Sequence, residues 1–159
     1  MPDSSRSGDF FPLHPGDEWR YMVANAGPNE SYPDVIWRVF EAVRLNGRDY
    51  FAFGANNRYP AYYRADSSAK VYKWNHGYET IWFDFTKAEG DSYKIELSGE
   101  NINYLVQVLG KNETVDTPAG TFAKCIHLFQ FSPSMIDSDL HLWFANGVGI
   151  VRWLANSEG

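Results

Sequence analysis

The sequence predicts an all-β protein, a curved antiparallel sheet or partly open β-barrel of about ten strands built from consecutive hairpins. Three observations carry this expectation. Short aromatic and β-branched runs alternate with period two, the repeat at which successive side chains point to opposite faces of a strand. Turn-forming groups such as Asn46-Gly47, Asn75-His76-Gly77 and Asn146-Gly147 punctuate those runs at short spacing. Aromatic residues make up 17% of the chain, a share that suits pleated, half-buried surfaces, and no stretch shows a helical period.

In chain order, Phe10 to Gly16 is a lead-in, because Pro12 and Pro15 cannot donate to a ladder. Glu18 to Ala24 is the first strand, with Trp19, Tyr21 and Val23 on one face and Arg20, Met22 and Ala24 on the other; Asn25 to Pro33 breaks it. Val35 to Ala55 reads as a hairpin about Asn46-Gly47, a pair that accepts the positive φ angles of a type I′ turn. The alternation places Val35, Trp37, Val39 and Val43 on one face with Glu41, opposite Ile36, Phe40 and Ala42 with Arg38 and Arg44. A second hairpin spans Ala61 to Trp74 about Asp66-Ser67-Ser68, and Asn75-His76-Gly77 turns the chain into Tyr78 to Phe85.

Thr86 to Asp91 connects to strands at Tyr93 to Leu97 and Ile102 to Leu109, divided at Ser98-Gly99, and Gly110-Lys111-Asn112 reads as the next turn. Thr114 to Phe131 is the centre of the pattern: Pro118 and Gly120 form a tight turn within Thr117 to Thr121, which feeds a nearly all-apolar strand. Ser132 to Ser138 is a loop, and Leu140 to Ala145 and Val148 to Leu154 close the chain around Asn146-Gly147.

A chain of 159 residues suits one domain, expected over residues 9–159, with residues 1–8 a disordered tail or an appended remnant. A net charge of -6 with pI near 5.1 gives no electrostatic reason to bind nucleic acid or anionic membranes, which demand clustered Lys and Arg. The single cysteine, Cys125, excludes an internal disulfide and a four-cysteine zinc site. No apolar run is long enough for a transmembrane helix, and Met1 to Phe10 lacks the basic and apolar regions of a signal peptide.

Reactive chemistry is sparse. Cys125 and His127 share a strand face with Phe129 and Phe131; a thiolate-imidazole pair is conceivable, but positions two apart on a strand lie roughly 6 to 7 Å apart, so packing is the expected role. The four histidines show no ligand spacing; His76 with Glu79, or His141 with Asp137 and Asp139, would need to converge in space, and no metal or cofactor is expected. Asp84, Glu89, Asp91, Glu96 and Glu100 all lie near turns, and no nucleophile elbow or phosphate loop is present, so no catalytic residue is nominated. The compositional excess is aromatic: Tyr62, Tyr72, Trp74, Tyr78, Trp82 and Trp143 are the candidate ligand-binding residues, each offering an apolar face and a polar tip, with core packing the competing role.

Five short motifs occur in a fixed order: Gly16-Asp17-Glu18-Trp19-Arg20-Tyr21; Tyr63-Arg64-Ala65-Asp66 with Lys70-Val71-Tyr72; Trp82-Phe83-Asp84-Phe85 with Gly90-Asp91-Ser92; Thr117-Pro118-Ala119-Gly120-Thr121-Phe122 with Cys125; and Trp143-Phe144-Ala145 with Gly147-Val148-Gly149-Ile150-Val151. Together they resemble a poorly characterised group of bacterial secreted or lipoprotein-like β domains with GDxWxY, YDF..GD, PAGTF and WxAxGVGxV motifs. The resemblance implies a fold similar to the half-barrels of lipoprotein carriers, a periplasmic or extracellular location with the export signal outside this sequence, and no catalytic residues.

The functional expectation is a non-catalytic binding or interaction module of the bacterial envelope or exterior. It would hold an apolar or amphipathic ligand, or an envelope protein, on an aromatic-lined concave face. The alternatives are a purely structural envelope domain and, from the enzyme class, a hydrolase using a histidine with Cys125 or a carboxylate.

Overall fold

The computed structural model describes residues 9–23, 33–55, 60–97 and 103–155, which hold eleven strands and no helix. Six form one antiparallel sheet in sequence order: β1 (Glu18–Tyr21), β2 (Val35–Leu45), β3 (Arg48–Ala55), β4 (Ala61–Ala65), β5 (Lys70–Asn75) and β6 (Tyr78–Asp84). The other five, β7 (Ser92–Glu96), β8 (Asn103–Thr117), β9 (Gly120–Phe131), β10 (Leu140–Ala145) and β11 (Gly149–Ala155), form a second sheet, also in sequence order. The chain is thus one long meander that breaks between β6 and β7 and leaves each sheet open. The all-β, partly open architecture is the one its hairpin rhythm predicts.

One core lies between the sheets. Val39, Phe53, Val71 and Phe83 from the first sheet meet Ile95, Val106, Val108, Ile126, Leu128, Leu142 and Phe144 from the second. The proline-bearing lead-in packs onto this core, where the Phe11 ring meets Phe53, Tyr63 and Phe83 at 5.1 to 5.4 Å. Burying each such side chain is worth roughly 1.5–3 kcal/mol, so this shared core, more than any single ladder, holds the sheets together.

Where a closed barrel would continue its ladder, side chains span the two seams. At the seam of β1 with β11, the Trp19 indole donates to the carbonyl of Val148, just before β11, at 2.7 Å and the Tyr21 hydroxyl to the Ile150 carbonyl at 2.6 Å. Between β6 and β7, the Tyr93 hydroxyl donates to the Trp82 carbonyl at 3.0 Å and accepts from the Asp84 amide at 3.1 Å. Burial raises the pKa of Tyr21 and Tyr93 well above the usual phenol value, so both hydroxyls keep the proton they donate.

The Asn46-Gly47 hairpin forms as expected, with φ of 50° and 78° at the two turn residues. Two expectations need correction. Val39 and Val43 do not share a face: the register slips between Val39 and Ala42, so Val39 packs in the core while Val43, opposite Tyr50, turns outward and is 38% exposed. Nor is Gly110-Lys111-Asn112 a turn, because β8 runs through it to Thr117 and absorbs the irregularity in register shifts at Gly110 and Glu113. The hairpin turn comes at Thr117 to Gly120, where the Thr117 hydroxyl donates to the Gly120 carbonyl at 2.9 Å and accepts from the Ala119 amide at 3.2 Å. Residues 1–8, most of the 25–33 connection, Ser98-Gly99, Glu100, and the strand ends Ala24 and Ile102 lie outside the described residues.

Candidate functional site

Alternation along β3 sends Phe51 and Phe53 into the core and Tyr50 to the outer face of the first sheet. There Tyr50, 1% exposed, lies beneath a polar cluster drawn from four strands. Arg64 of β4 grips the Glu79 carboxylate of β6 through two bonds, Nε to Oε2 at 2.7 Å and a terminal nitrogen to Oε1 at 2.6 Å. Arg48 of β3 donates to Oε1 at 2.7 Å, and the Tyr50 hydroxyl donates to Oε2. The Arg64 hydrogen bonds, opposed by burial and helped by Tyr50, hold the Glu79 carboxyl at about 2, while burial and then Glu79 push the Tyr50 phenol up. On the other side of Arg64, its guanidinium lies 4.0 Å from the centre of the Tyr72 ring, and the Tyr72 hydroxyl donates to Asp66 at 3.0 Å.

The hairpin turns at Asn46-Gly47 and His76-Gly77 sit at the end of this cluster, and between them opens a recess of about 210 Å³ lined by Asn46, Arg48, Tyr50, Trp74, Tyr78 and Glu79. Trp74 meets Tyr50 edge to face at 5.4 Å, which fixes one wall. Two guanidiniums face one carboxylate here. Arg64, whose side chain is 17% exposed, is neutralised by its paired bonds, whereas that of Arg48 is 59% exposed and holds Glu79 through one nitrogen, with the rest of its fork open to solvent.

The six nominated aromatics therefore divide. Trp74 and Tyr78 line the recess, and Tyr72 buttresses its floor through Arg64. Tyr62 sits on β4 opposite Ala52, two positions from Arg64 and on the same face. Trp82 packs at the edge of the core against Tyr104 at 6.1 Å, with the Lys73 ammonium 4.1 Å from its ring centre. Trp143 lies on the outer face of the second sheet, 9% exposed, its ring covered by His127 at 4.1 Å and approached by Arg152 at 5.0 Å. Motif reading gave no role to Arg48 or Arg64 and weighed Glu79 only beside His76 as a metal ligand; the three span 32 residues and meet only through the meander.

The second sheet carries a different array. Its outer face holds Trp143, His127, His141, Phe129 and Phe131 as a stack of rings with centres 4.1 to 5.1 Å apart. Because these rings lie against one another, their faces serve packing and leave little to a ligand. Within the stack, His127 Nδ1 lies 2.9 Å from Glu113 Oε2, and its Nε2 lies 2.8 Å from His141 Nδ1. With Glu113 ionised, the pattern assigns a proton to His127 Nδ1 and another to His141 Nδ1, so each bond has one donor. Burial, and then the neighbouring His127 ring, lowers the His141 pKa, favouring the neutral ring.

Gly110 makes this possible. It lies opposite His127 in the ladder, and a Cβ there would sit 3.0 Å from Cγ and Cδ of Glu113 and still nearer its carboxylate. The missing side chain is the space through which Glu113 reaches back. Cys125, by contrast, is fully buried with Val115, Trp143 and Ala145, and its thiol faces the Phe122 carbonyl at 3.4 Å. Burial, and then Glu113, raises its pKa away from the thiolate.

Glu113, His127 and His141 do not line this recess. Among the described residues no cluster of three or more His, Cys, Asp or Glu is placed to hold a metal ion, and no helix is long and apolar enough to cross a membrane.

Comparison with known proteins gives no identity. No family model matches the chain, and no curated protein matches it. Among solved structures, the chain is similar to a Bacteroides fragilis protein described as a candidate exported protein with YmcC-like fold, at 16% identity over 91% of this chain and 89% of that one, with a TM-score of 0.44.

Proposed function

We propose that the protein is a non-catalytic binding module whose ligand sits in the recess between Trp74, Tyr78 and Arg48. One observation carries the reading: Arg48 is oriented by Glu79 through a single nitrogen, beside an aromatic wall, with most of its donors unspent among the described residues. A guanidinium positioned in this way recognises a carboxylate or phosphate oxygen, and Trp74 with Tyr78 offers apolar surface to the rest of the molecule. The ligand class is accordingly a compact amphipathic anion. Glu79, carrying its charge down to about pH 2, fixes the site and does not serve as a general acid near neutrality. Cys125, buried and facing a carbonyl, supplies no nucleophile. The compartment we infer, the bacterial periplasm or exterior, rests on the motif resemblance.

Native mass spectrometry of protein purified from its own host tests the reading. A small anionic adduct should be retained by the parent chain and lost from Arg48→Gln and Trp74→Phe. A bare chain, or an adduct held equally by both variants, would refute the assignment.

A further inference from the structure

A larger cleft, of about 470 Å³, opens at the opposite side of the molecule, where the lead-in, the β4–β5 turn, the end of β6 and the β10–β11 turn surround one mouth of the open barrel. We propose that it is a second binding site, taking an amphiphile with a short apolar body and a carboxylate head.

The apolar part follows from the floor. Phe10, Ala69, Phe85 and Ile126 line the cleft, and Phe85 and Ile126 belong to the main core, at 5% and 2% exposure. An alkyl group entering there extends the core and leaves water for the same reason the core residues do. The volume lies within the roughly 300–1,000 Å³ of small-molecule sites, which occur preferentially in barrel mouths among other places.

The head follows from the rim. Lys111 is the one charged side chain among those lining the cleft. Its ammonium donates to the carbonyls of Phe85 and Lys87, both at 3.0 Å, which anchors it; an ammonium has three donors, so one remains for a ligand. The hydroxyls of Ser68 and Thr86, also on the rim, already donate to Asp66 and Asp84 within their own turns, so they present acceptor oxygens. Neither aspartate lines the cleft; Asp66 accepts from Ser68, Lys70 and Tyr72 through both oxygens, and Asp84 accepts from Thr86 through Oδ1. Capping two carbonyls accounts for two of the lysine's donors; it does not account for the apolar cleft beneath them.

Isothermal titration of the whole protein with octanoate, octanol and octylamine tests the proposal. Octanoate should bind at least about tenfold more tightly than either neutral or cationic analogue, the gap a single charge-assisted bond supports. Ser67→Trp, at an exposed rim position, should block binding, and Lys111→Gln should reduce octanoate to the level of octanol. Arg48→Gln should leave octanoate binding unchanged, which separates this cleft from the recess on the first sheet. Equal affinity for the three probes, no binding of octanoate, survival of binding in Ser67→Trp, or loss in Arg48→Gln would each overturn the proposal. Should Lys111→Gln fail to fold, Ser67→Trp still decides.

Discussion

Glu79 shows how much a single side chain can be asked to carry. Its carboxyl is depressed from 4.5 to about 2, chiefly by Arg64, so it favours the folded state fully above pH 4.5, and that contribution disappears as pH falls toward 2. The shift corresponds to an upper bound on the order of 3 kcal/mol at neutral pH. Denaturant unfolding as a function of pH should show Glu79→Gln far less stable than the parent at pH 7, with the difference shrinking between pH 4.5 and 2. A constant difference across that window would mean that the charge is not what matters. Gly110 acts by absence: Gly110→Ala should displace Glu113 from His127 and cost about 1–3 kcal/mol, the usual penalty for stranding a buried hydrogen-bonding group. In a Glu113→Ala background the same substitution should cost much less, as a double-mutant cycle would reveal. This residue also marks a limit of sequence reading. Glycine next to Lys-Asn signals a turn when backbone freedom is its purpose, but here the purpose is room for a side chain three residues on, a relation that only the folded register exposes.

Strands and hairpins were far more legible than the contacts between sheets. Asn46-Gly47 and Thr117 to Gly120 are specified by local backbone preference, and local preference is what a sequence displays. The face assignment of Val43 failed because an extra residue in β2 inverts the alternation after Val39, and no residue type there announces it. The seams were invisible for a different reason: Trp19, Tyr21 and Tyr93 look like any alternating aromatics, yet each spends its polar tip on backbone of the opposite sheet. Tyr21→Phe should lower stability by about 1 kcal/mol, and Tyr93→Phe by more, since it strands both a carbonyl and an amide. Urea unfolding of the two single variants and the pair should give additive losses, because the seams share no partner. Strong non-additivity would indicate that they open together.

At the scale of the whole molecule, the candidate site was half legible. Trp74, Tyr78 and Tyr72 could be nominated because aromatic excess is a compositional signal, while Trp143 drew the same nomination and stands instead in a closed stack. The charged half of the recess could not be anticipated, since Arg48, Arg64 and Glu79 are brought together by three successive hairpins and nothing in their spacing resembles a motif. The seams also have a bearing on solitude. A sheet edge with vacant carbonyls is a template on which another chain can pair, and among the described strands β11 ends the second sheet. Trp19 and Tyr21 occupy the Val148 and Ile150 carbonyls from within the same chain. The same two bonds that join the sheets therefore take up two acceptors that an added strand would need.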